Sequence, residues 1–339
     1  MDEYTVRFRT PASKTALHAA LLACACLVVG SASAQRQSGP LPNGYPLRPV
    51  RVLVGGPPGS GTDVMMRVVA QKLTQRWGRT IVVDNRPGAL GSIAIELTAQ
   101  AAPDGYTLIT LSGQNFTGML LKTVNIDIPS VTAPVVQMMT QPYLLVVTPA
   151  LPVNSVGELI VYAKSKPLVY ASSGTGSVVH LGMELFKFMA GVPMVHIPYK
   201  GSGQSMVDVM SGQVQLAITN SLTAAPLVKG GKLRALAVTS LRRTQAFPDL
   251  PTISEAGVSG YELNSWYGLF APTRTAPALI LALNAEVSEV MNSAEMRERL
   301  AADGAEPSPA NSPAEFKQAI AREMRKWEKF LASSGIKLD

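Results

Sequence analysis

The chain carries few groups able to do covalent or metal chemistry. Its two cysteines, Cys24 and Cys26, sit close to the start, and beyond residue 34 only two of its three histidines are left, His180 and His196. There is no His-Glu-x-x-His and no Gly-x-Ser-x-Gly, so neither a zinc protease nor a serine hydrolase is spelled out. His180 falls one turn into an expected helix and His196 within an expected strand, positions where an imidazole packs or hydrogen-bonds within the fold. Two histidines alone make a poor metal site. The carboxylates Asp63, Asp84, Glu96, Glu184 and Asp208 stand singly, with no pairing for acid–base work. No catalytic residue, metal or cofactor is assigned.

What recurs is a glycine-rich turn. Gly55-Gly56-Pro57-Pro58-Gly59-Ser60-Gly61, followed by Thr62 and Asp63, comes directly after the apolar run Val50–Val54. Gly88, Ala89, Leu90, Gly91 and Ser92 follow the run from Thr80 to Asp84. Ser173, Gly174, Thr175, Gly176 and Ser177 follow Val169–Ser172. Each turn sits between a β-branched strand pattern and a helical one. Thr62 and Asp63 supply cap chemistry to the first helix, with Asp63 a first-turn carboxylate at the dipole. At such a turn backbone N–H groups and the positive end of the helix converge, which suits an anion. For any single loop, glycines serving geometry alone explain the pattern as well. Two nucleotide readings fail by spelling. A Walker loop needs Lys before Thr62, and a dinucleotide loop needs a small residue where Val64 stands.

The elements that must position these loops alternate along the chain. The first helix runs to Gly78 with Val64, Val68, Val69 and Leu73 at helical spacing. Ser92 is expected to cap a second, carrying Ile93 and Leu97, and Tyr106–Leu111 reads as a third strand. Further strands are expected at Pro142–Thr148, Val169–Ser172, Met194–Pro198, Gln213–Ile218, Lys232–Thr239 and Glu262–Pro272. Between them lie helices at Val156–Ser165, at Gln204–Met210, and after Ser177. The last of these should bury Val178, Leu181, Leu185 and Met189. One long helix is expected from Ala278 to Ala302. A final one opens on the capping box Ser312–Glu315 with Pro313 at its first position, and its stripe of Phe316, Ile320, Met324, Trp327 and Leu331 reads as core. Nothing marks Trp327 as a ligand contact. Strand–loop–helix units in series predict an α/β fold with doubly wound parallel sheets and helices on both faces. In such sheets ligands bind at the carboxyl ends of strands.

The first 34 residues read as an export signal. Arg7, Arg9 and Lys14 precede an apolar run from Ala16 to Val29, and Ala32-Ser33-Ala34 is a small-x-small cleavage site before Gln35. A lipoprotein-like reading at Leu21-Leu22-Ala23-Cys24 ranks below it. The expected location is periplasmic. Cleavage near Ala34 leaves about 300 residues and no cysteine, enough chain for two ordinary domains held by their cores alone. The formal net charge of +7 is scattered, with no basic stripe and no aromatic interleaving. That argues against nucleic acid.

Seven stretches, taken together and in this order, carry a resemblance: VRVLVGGPPGSGTDVMMR, VVDNRPGALGSIA, APDGYTL, YASSGTGSVVHL, HIPYKGSGQSMVDVMSGQVQLA, GKLRALAVTS and FPDLPTISEAG. The chain resembles the Bug-type solute receptors of tripartite tricarboxylate transporters over nearly its whole length after the signal. The resemblance implies a type II, two-lobed periplasmic binding-protein fold with a small carboxylate-bearing solute in the cleft between lobes. It implies contacts at Gly56 to Asp63, Gly88 to Ser92 and Ser173 to Ser177, and a membrane permease as partner. The chain departs from the family pattern at Gly-Pro-Pro-Gly-Ser-Gly, at Leu90, and at Thr219, which stands where Asp is common, just before Asn220. Thr219 and Asn220 complete the expected ligand set. The expected domains are residues 45–140 plus 266–339, and 141–265, with crossovers near Gln141–Val147 and Leu263–Leu269 as the hinge. The reading is a monomeric periplasmic receptor for a small organic acid, serving uptake or sensing. The competing reading is an enzyme on the same two-lobed fold acting on such an acid. A regulator's effector domain would need a DNA-binding module, of which there is no sign.

Overall fold

In the computed structural model, residues 1, 41–199, 201–302, 304–309 and 311–334 are described. The expected export signal and its cleavage site after Ala34 lie outside the described residues. The first strand, β1 (Val50–Val54), pairs in parallel with β2 (Ile81–Asn85) on one side and β3 (Thr107–Ser112) on the other. Helix α1 (Gly61–Trp77) and helix α2 (Ser92–Ala99) make the crossovers. Alternation along β1 explains both faces. Val50, Val52 and Val54 pack with Met66, Val69 and Leu73 of α1. Leu53 points the other way, into a cluster with Ala94 and Ile95 of α2.

After β3 come α3 (Gly113–Leu120) and the short α4 (Ile128–Val131), then β4 (Thr132–Val147), sixteen residues long. The early part of β4 pairs antiparallel with β9 (Asn264–Pro272), from Thr132 opposite Pro272 to Pro142 opposite Asn264. From Tyr143 on it pairs instead with β7 (Leu216–Asn220) and β8 (Arg234–Val238). The second sheet repeats the parallel arrangement, β5 (Leu168–Ser172) lying between β6 (Met194–Pro198) and β7. Helices α5 (Val156–Ser165), α6 (Val178–Ala190), α7 (Ser202–Ser211) and α8 (Ser221–Lys229) cover it. Here too alternation serves two faces. Leu145 and Val147 join a core with α5 and α6, while Leu144 and Val146 join Met206 and Val209 of α7.

The sheet order β2-β1-β3-β9-β4-β7-β5-β6 thus has two parallel wings joined by antiparallel β9 and β4. Strand β10 (Glu306–Pro307) adds to β4. Helices α9 (Pro277–Met291) and α10 (Ala294–Ala302) replace the single helix expected from 278 to 302. The break falls where Ser293 and Asn292 side chains bond the carbonyls of Val290 and Ser288 and so compete with the ladder. The last helix, α11 (Pro313–Ser334), opens on the expected capping box: Ser312 N donates to the Glu315 carboxylate at 2.7 Å and Glu315 N to Ser312 Oγ at 3.2 Å. It places Phe316 and Ile320 in the first wing's core and Trp327 and Phe330 in the second's.

Three local expectations need correction. The N-cap position of α1 is Ser60, not Thr62 or Asp63, and α2 begins at Ser92 after Gly91, so Ser92 lies in the helix rather than capping it. Val64 and Met189 are exposed, because the stripe facing each sheet is narrower than the run of apolar residues. Helix α3 has no counterpart among the elements expected from the sequence. Among the described residues no helix is long and apolar enough to cross a membrane.

Candidate functional site

A cavity of about 500 Å³ lies where β1, β2, β3, β5 and β7 end and their following helices begin. Five of those helix starts contribute: Gly61 and Thr62 of α1, Gly88 and Leu90 ahead of α2, Ser112 and Gly113 at α3, Val178 of α6, and Asn220 ahead of α8. The first-turn N–H groups of a helix have no carbonyl within the helix to bond, so each start offers donors and positive potential. Among the described residues no Lys, Arg or His lines the space. Glu323 is the one carboxyl group among the described residues that line it.

The first loop is built from beneath by Asp63. Its carboxylate, 2% exposed as a residue, accepts Gly59 N–H at 2.8 Å, Asn85 Nδ2 at 2.9 Å and Arg67 Nε at 3.1 Å. Burial pushes this carboxyl's pKa up, but the Arg67, Gly59 and Asn85 bonds outweigh burial and hold it below the usual carboxylate range. Asn85 also donates to the Gly56 carbonyl at 3.1 Å, so the end of β2 ties down the end of β1. A side chain at Gly61 would collide with the Tyr267 hydroxyl, so glycine lets β9 approach the start of α1.

The second loop is pressed against the first. A Cβ added to Gly55 would stand 2.6 Å from the Gly91 Cα. Gly88 and Gly91 have φ of 135° and 86°, and Leu90 takes φ 53°, an uncommon left-handed non-glycine. Asn115 Nδ2 holds the Leu90 carbonyl at 2.7 Å, while its Oδ1 accepts Ser112 N–H at 2.7 Å. One asparagine therefore caps α3 and fixes the loop before α2.

The third loop rests on two stacked imidazoles. His180 and His196 lie with ring centroids 3.9 Å apart, and Tyr170 stacks on His196 at 4.9 Å. Gly176 N–H donates to His180 Nδ1 at 3.0 Å, so Nδ1 carries no proton. His196 Nε2 meets Ser172 Oγ at 2.6 Å, and Ser172 Oγ accepts Gly174 N–H at 3.1 Å. Burial, then the neighbouring His180, pushes His196 down to about 4; burial likewise lowers His180. Below them Glu184 accepts from Tyr170 and from Lys187 Nζ at 2.6 Å. Both histidines serve the fold, as expected, but His196 is only partly buried.

Of the residues expected from sequence, Gly56, Pro57, Ser60, Gly61, Thr62, Gly88, Leu90 and Asn220 line the main cavity. Ser173, Ser177, Thr219 and Asn220 line a smaller space of about 120 Å³, which shares Gln114, Tyr143, Val178 and Asn220 with the larger one. Pro58, Gly59, Asp63, Gly91, Ser92, Gly174, Thr175 and Gly176 line neither. Gly59, Asp63, Gly91, Gly174 and Gly176 act from behind, through the bonds and angles just described. Thr110 Oγ1 in the main cavity and Thr219 Oγ1 in the smaller one are buried hydroxyls with no partner.

Sequence reasoning does not reach Thr110, the α3 segment Ser112–Thr117, Tyr143, Asn264, Ser265, Tyr267, Glu323 or Trp327. Trp327 is core, 2% exposed, and also reaches the cavity. The one signal for β9 is its polar pair Asn264-Ser265 at the head of an otherwise apolar, aromatic strand. Among the described residues no His/Cys/Asp/Glu group is arranged to hold a metal ion.

Comparison with known proteins places this geometry. The family model described as "Tripartite tricarboxylate transporter family receptor" matches residues 65–336. Protein BugT of Bordetella pertussis is 36% identical over 299 residues, covering 87% of this chain and 91% of that protein. A solved structure of R. palustris Rpa4515 with adipate is 37% identical with a TM-score of 0.74, covering 86% of this chain and 99% of that one. MatC from Rhodopseudomonas palustris, solved with bound malate, is 29% identical with a TM-score of 0.69, covering 84% and 99%.

Proposed function

Because the chain belongs to the tripartite tricarboxylate transporter receptor family, we propose that it captures a small carboxylate-bearing solute in the cavity between its two wings. The observation that carries this reading is a cavity of about 500 Å³ ringed by helix starts and hydroxyls, with no lysine or arginine among the described residues that line it. Several N–H donors and helix dipoles together substitute for a cation. The adipate and malate held by two relatives are carboxylates of suitable size. The family is one of receptors, and the lone carboxyl in the cavity gives an enzyme no acid–base pair.

In this reading the first lobe comprises residues 45–140 and 266–339 and the second 141–265, with the last two turns of α11 seated on the second. The crossing of β4 and β9 forms the hinge. The protein is exported, cut after Ala34, works as a periplasmic monomer, and delivers solute to a tripartite-type permease or a sensor. Titration calorimetry with hexanoate and hexanamide tests the core of the proposal. Carboxylate binding at least tenfold tighter than amide binding is expected. Equal affinities would remove the anion from the reading.

A further inference from the structure

Glu323 has a place in the cavity that the carboxylate reading does not use. It lies on α11, lines the 500 Å³ cavity, and also borders a neighbouring space of about 350 Å³, so it stands in the wall between them. Two indoles fix it: Trp266 Nε1 donates to Oε2 at 2.5 Å, and Trp327 also hydrogen-bonds the carboxyl group. Its Oε1 lies close beside Gly113, the first residue of α3. Lys326, on the same helix, gives a 2.5 Å hydrogen bond to the Glu262 carbonyl oxygen. Arg322 borders the neighbouring space and not this one.

Both indoles are donors, so the carboxyl group is held as an acceptor with capacity left over. No cation is among the described residues on the cavity side. Burial, its largest influence, raises the Glu323 pKa, against the two indole bonds and Lys326.

Position completes the argument. In the sheet order β2-β1-β3-β9, the α1 start belongs to β1, while Trp266, which holds Glu323, belongs to β9. Two strand spacings separate them, about 10 Å. A chain of four to six carbons reaches from one to the other.

We infer that Glu323 reads the far end of the solute: with its carboxylate on the α1 and α2 loops, the solute presents a hydrogen-bond-donating terminus, amine or hydroxyl, to Glu323. A second carboxylate at that end meets the Glu323 carboxyl group where no cation among the described residues lines the cavity, and is disfavoured. The class selected is therefore an ω-amino or ω-hydroxy monocarboxylate rather than a dicarboxylate. This rests on the carboxylate reading above.

The test uses four six-carbon acids of matched length: 6-aminohexanoate, 6-hydroxyhexanoate, adipate and hexanoate, titrated into the protein and into its Glu323→Gln variant. The native protein is expected to bind the amino and hydroxy acids at least tenfold tighter than adipate. Glu323→Gln keeps an oxygen for Trp266 but loses the charge. It should bring 6-aminohexanoate and adipate within about threefold of each other. Thermal melting and tryptophan fluorescence check that the variant is folded. Should it not fold, the preference of the native protein decides alone. Tighter binding of adipate than of 6-aminohexanoate by the native protein, or the same ratio in the folded variant, overturns the inference. Hexanoate bound no better than hexanamide overturns the carboxylate reading instead, so the two failures are distinguishable.

Discussion

Replacing Gly55 with alanine tests whether the first two loops work as one surface. Gly55 directly follows β1, and its added methyl would stand 2.6 Å from the Gly91 Cα. Carbon atoms reach their best separation at about 3.5–4.0 Å, so relief needs a movement of about 1 Å. Backbone must give way here, because Gly91 is itself held. Its N–H donates to Gly88 O at 2.8 Å, and Asn115 pins the adjoining Leu90 carbonyl. Overpacking of this kind costs about 1–3 kcal/mol. Binding should suffer separately. A donor shifted by about 1 Å from a good hydrogen bond to an anion is beyond bonding distance, and such a bond contributes about 1.5–3 kcal/mol. At ~1.4 kcal/mol per decade, affinity for a carboxylate falls roughly ten- to hundredfold. Gly203→Ala is the control. It lies in α7 with no heavy atom near its would-be Cβ, and should hold or slightly raise stability. Calorimetric titration of hexanoate and thermal melts of both variants make the measurement. Gly55→Ala with native melting temperature and native affinity would refute the claim that these loops are packed Cα against Cα.

Other expectations follow from the same supports. Both imidazoles hold fewer protons folded than unfolded, since their pKa values are lowered, His196 to about 4. Their stabilisation is therefore complete above the ordinary histidine value of about 6.5 and declines below it, the His196 part being lost as pH falls through about 4. Urea melts at pH 7.5 and 5 should show the decline, and a His196→Gln variant with an undiminished decline would count against it. Asp63→Asn removes the charge that gathers Gly59, Asn85 and Arg67, and should cost about 1.5–3 kcal/mol, read in chemical denaturation. A loss below about 0.5 kcal/mol, the scatter of surface substitutions, would place the loop's support elsewhere. Gly176→Val sets a β-branched residue at φ 76° with Leu121 Cδ1 3.3 Å from its Cβ, and should distort the third loop and weaken solute binding while circular dichroism stays native. Ser177→Ala, which removes the α6 cap to His180 N, should cost about 1 kcal/mol of stability. Wild-type affinity in a folded Gly176→Val would take this loop out of the site.

The difference between what the sequence made legible and what it hid has a physical cause. Each glycine loop is a local grammar of strand, turn and helix, complete within about twenty residues, so Gly55–Asp63, Gly88–Ser92 and Ser173–Ser177 stand out from the order of residues alone. Their positive φ angles at Gly88, Gly91, Gly174 and Gly176 are why those residues are glycine. The opposite wall has no such grammar. Tyr143 comes from the middle of a sixteen-residue strand, Asn264 and Ser265 from the start of another, and Glu323 and Trp327 from a helix whose stripe reads as core. The core reading of Trp327 is sound as far as it goes, since the residue is 2% exposed and packs with Phe330. What the periodicity cannot express is that α11 runs from one core into the other, so that the residues at the crossing, Glu323 and Trp327, necessarily meet the space between. On the proposed reading, the receptor holds the common end of its solutes with backbone, which tolerates side-chain change. The uncommon end is then left to a few side chains on β9 and α11. Specificity is therefore expected to vary between relatives at positions such as 264, 265 and 323, while the glycine loops keep one chemistry.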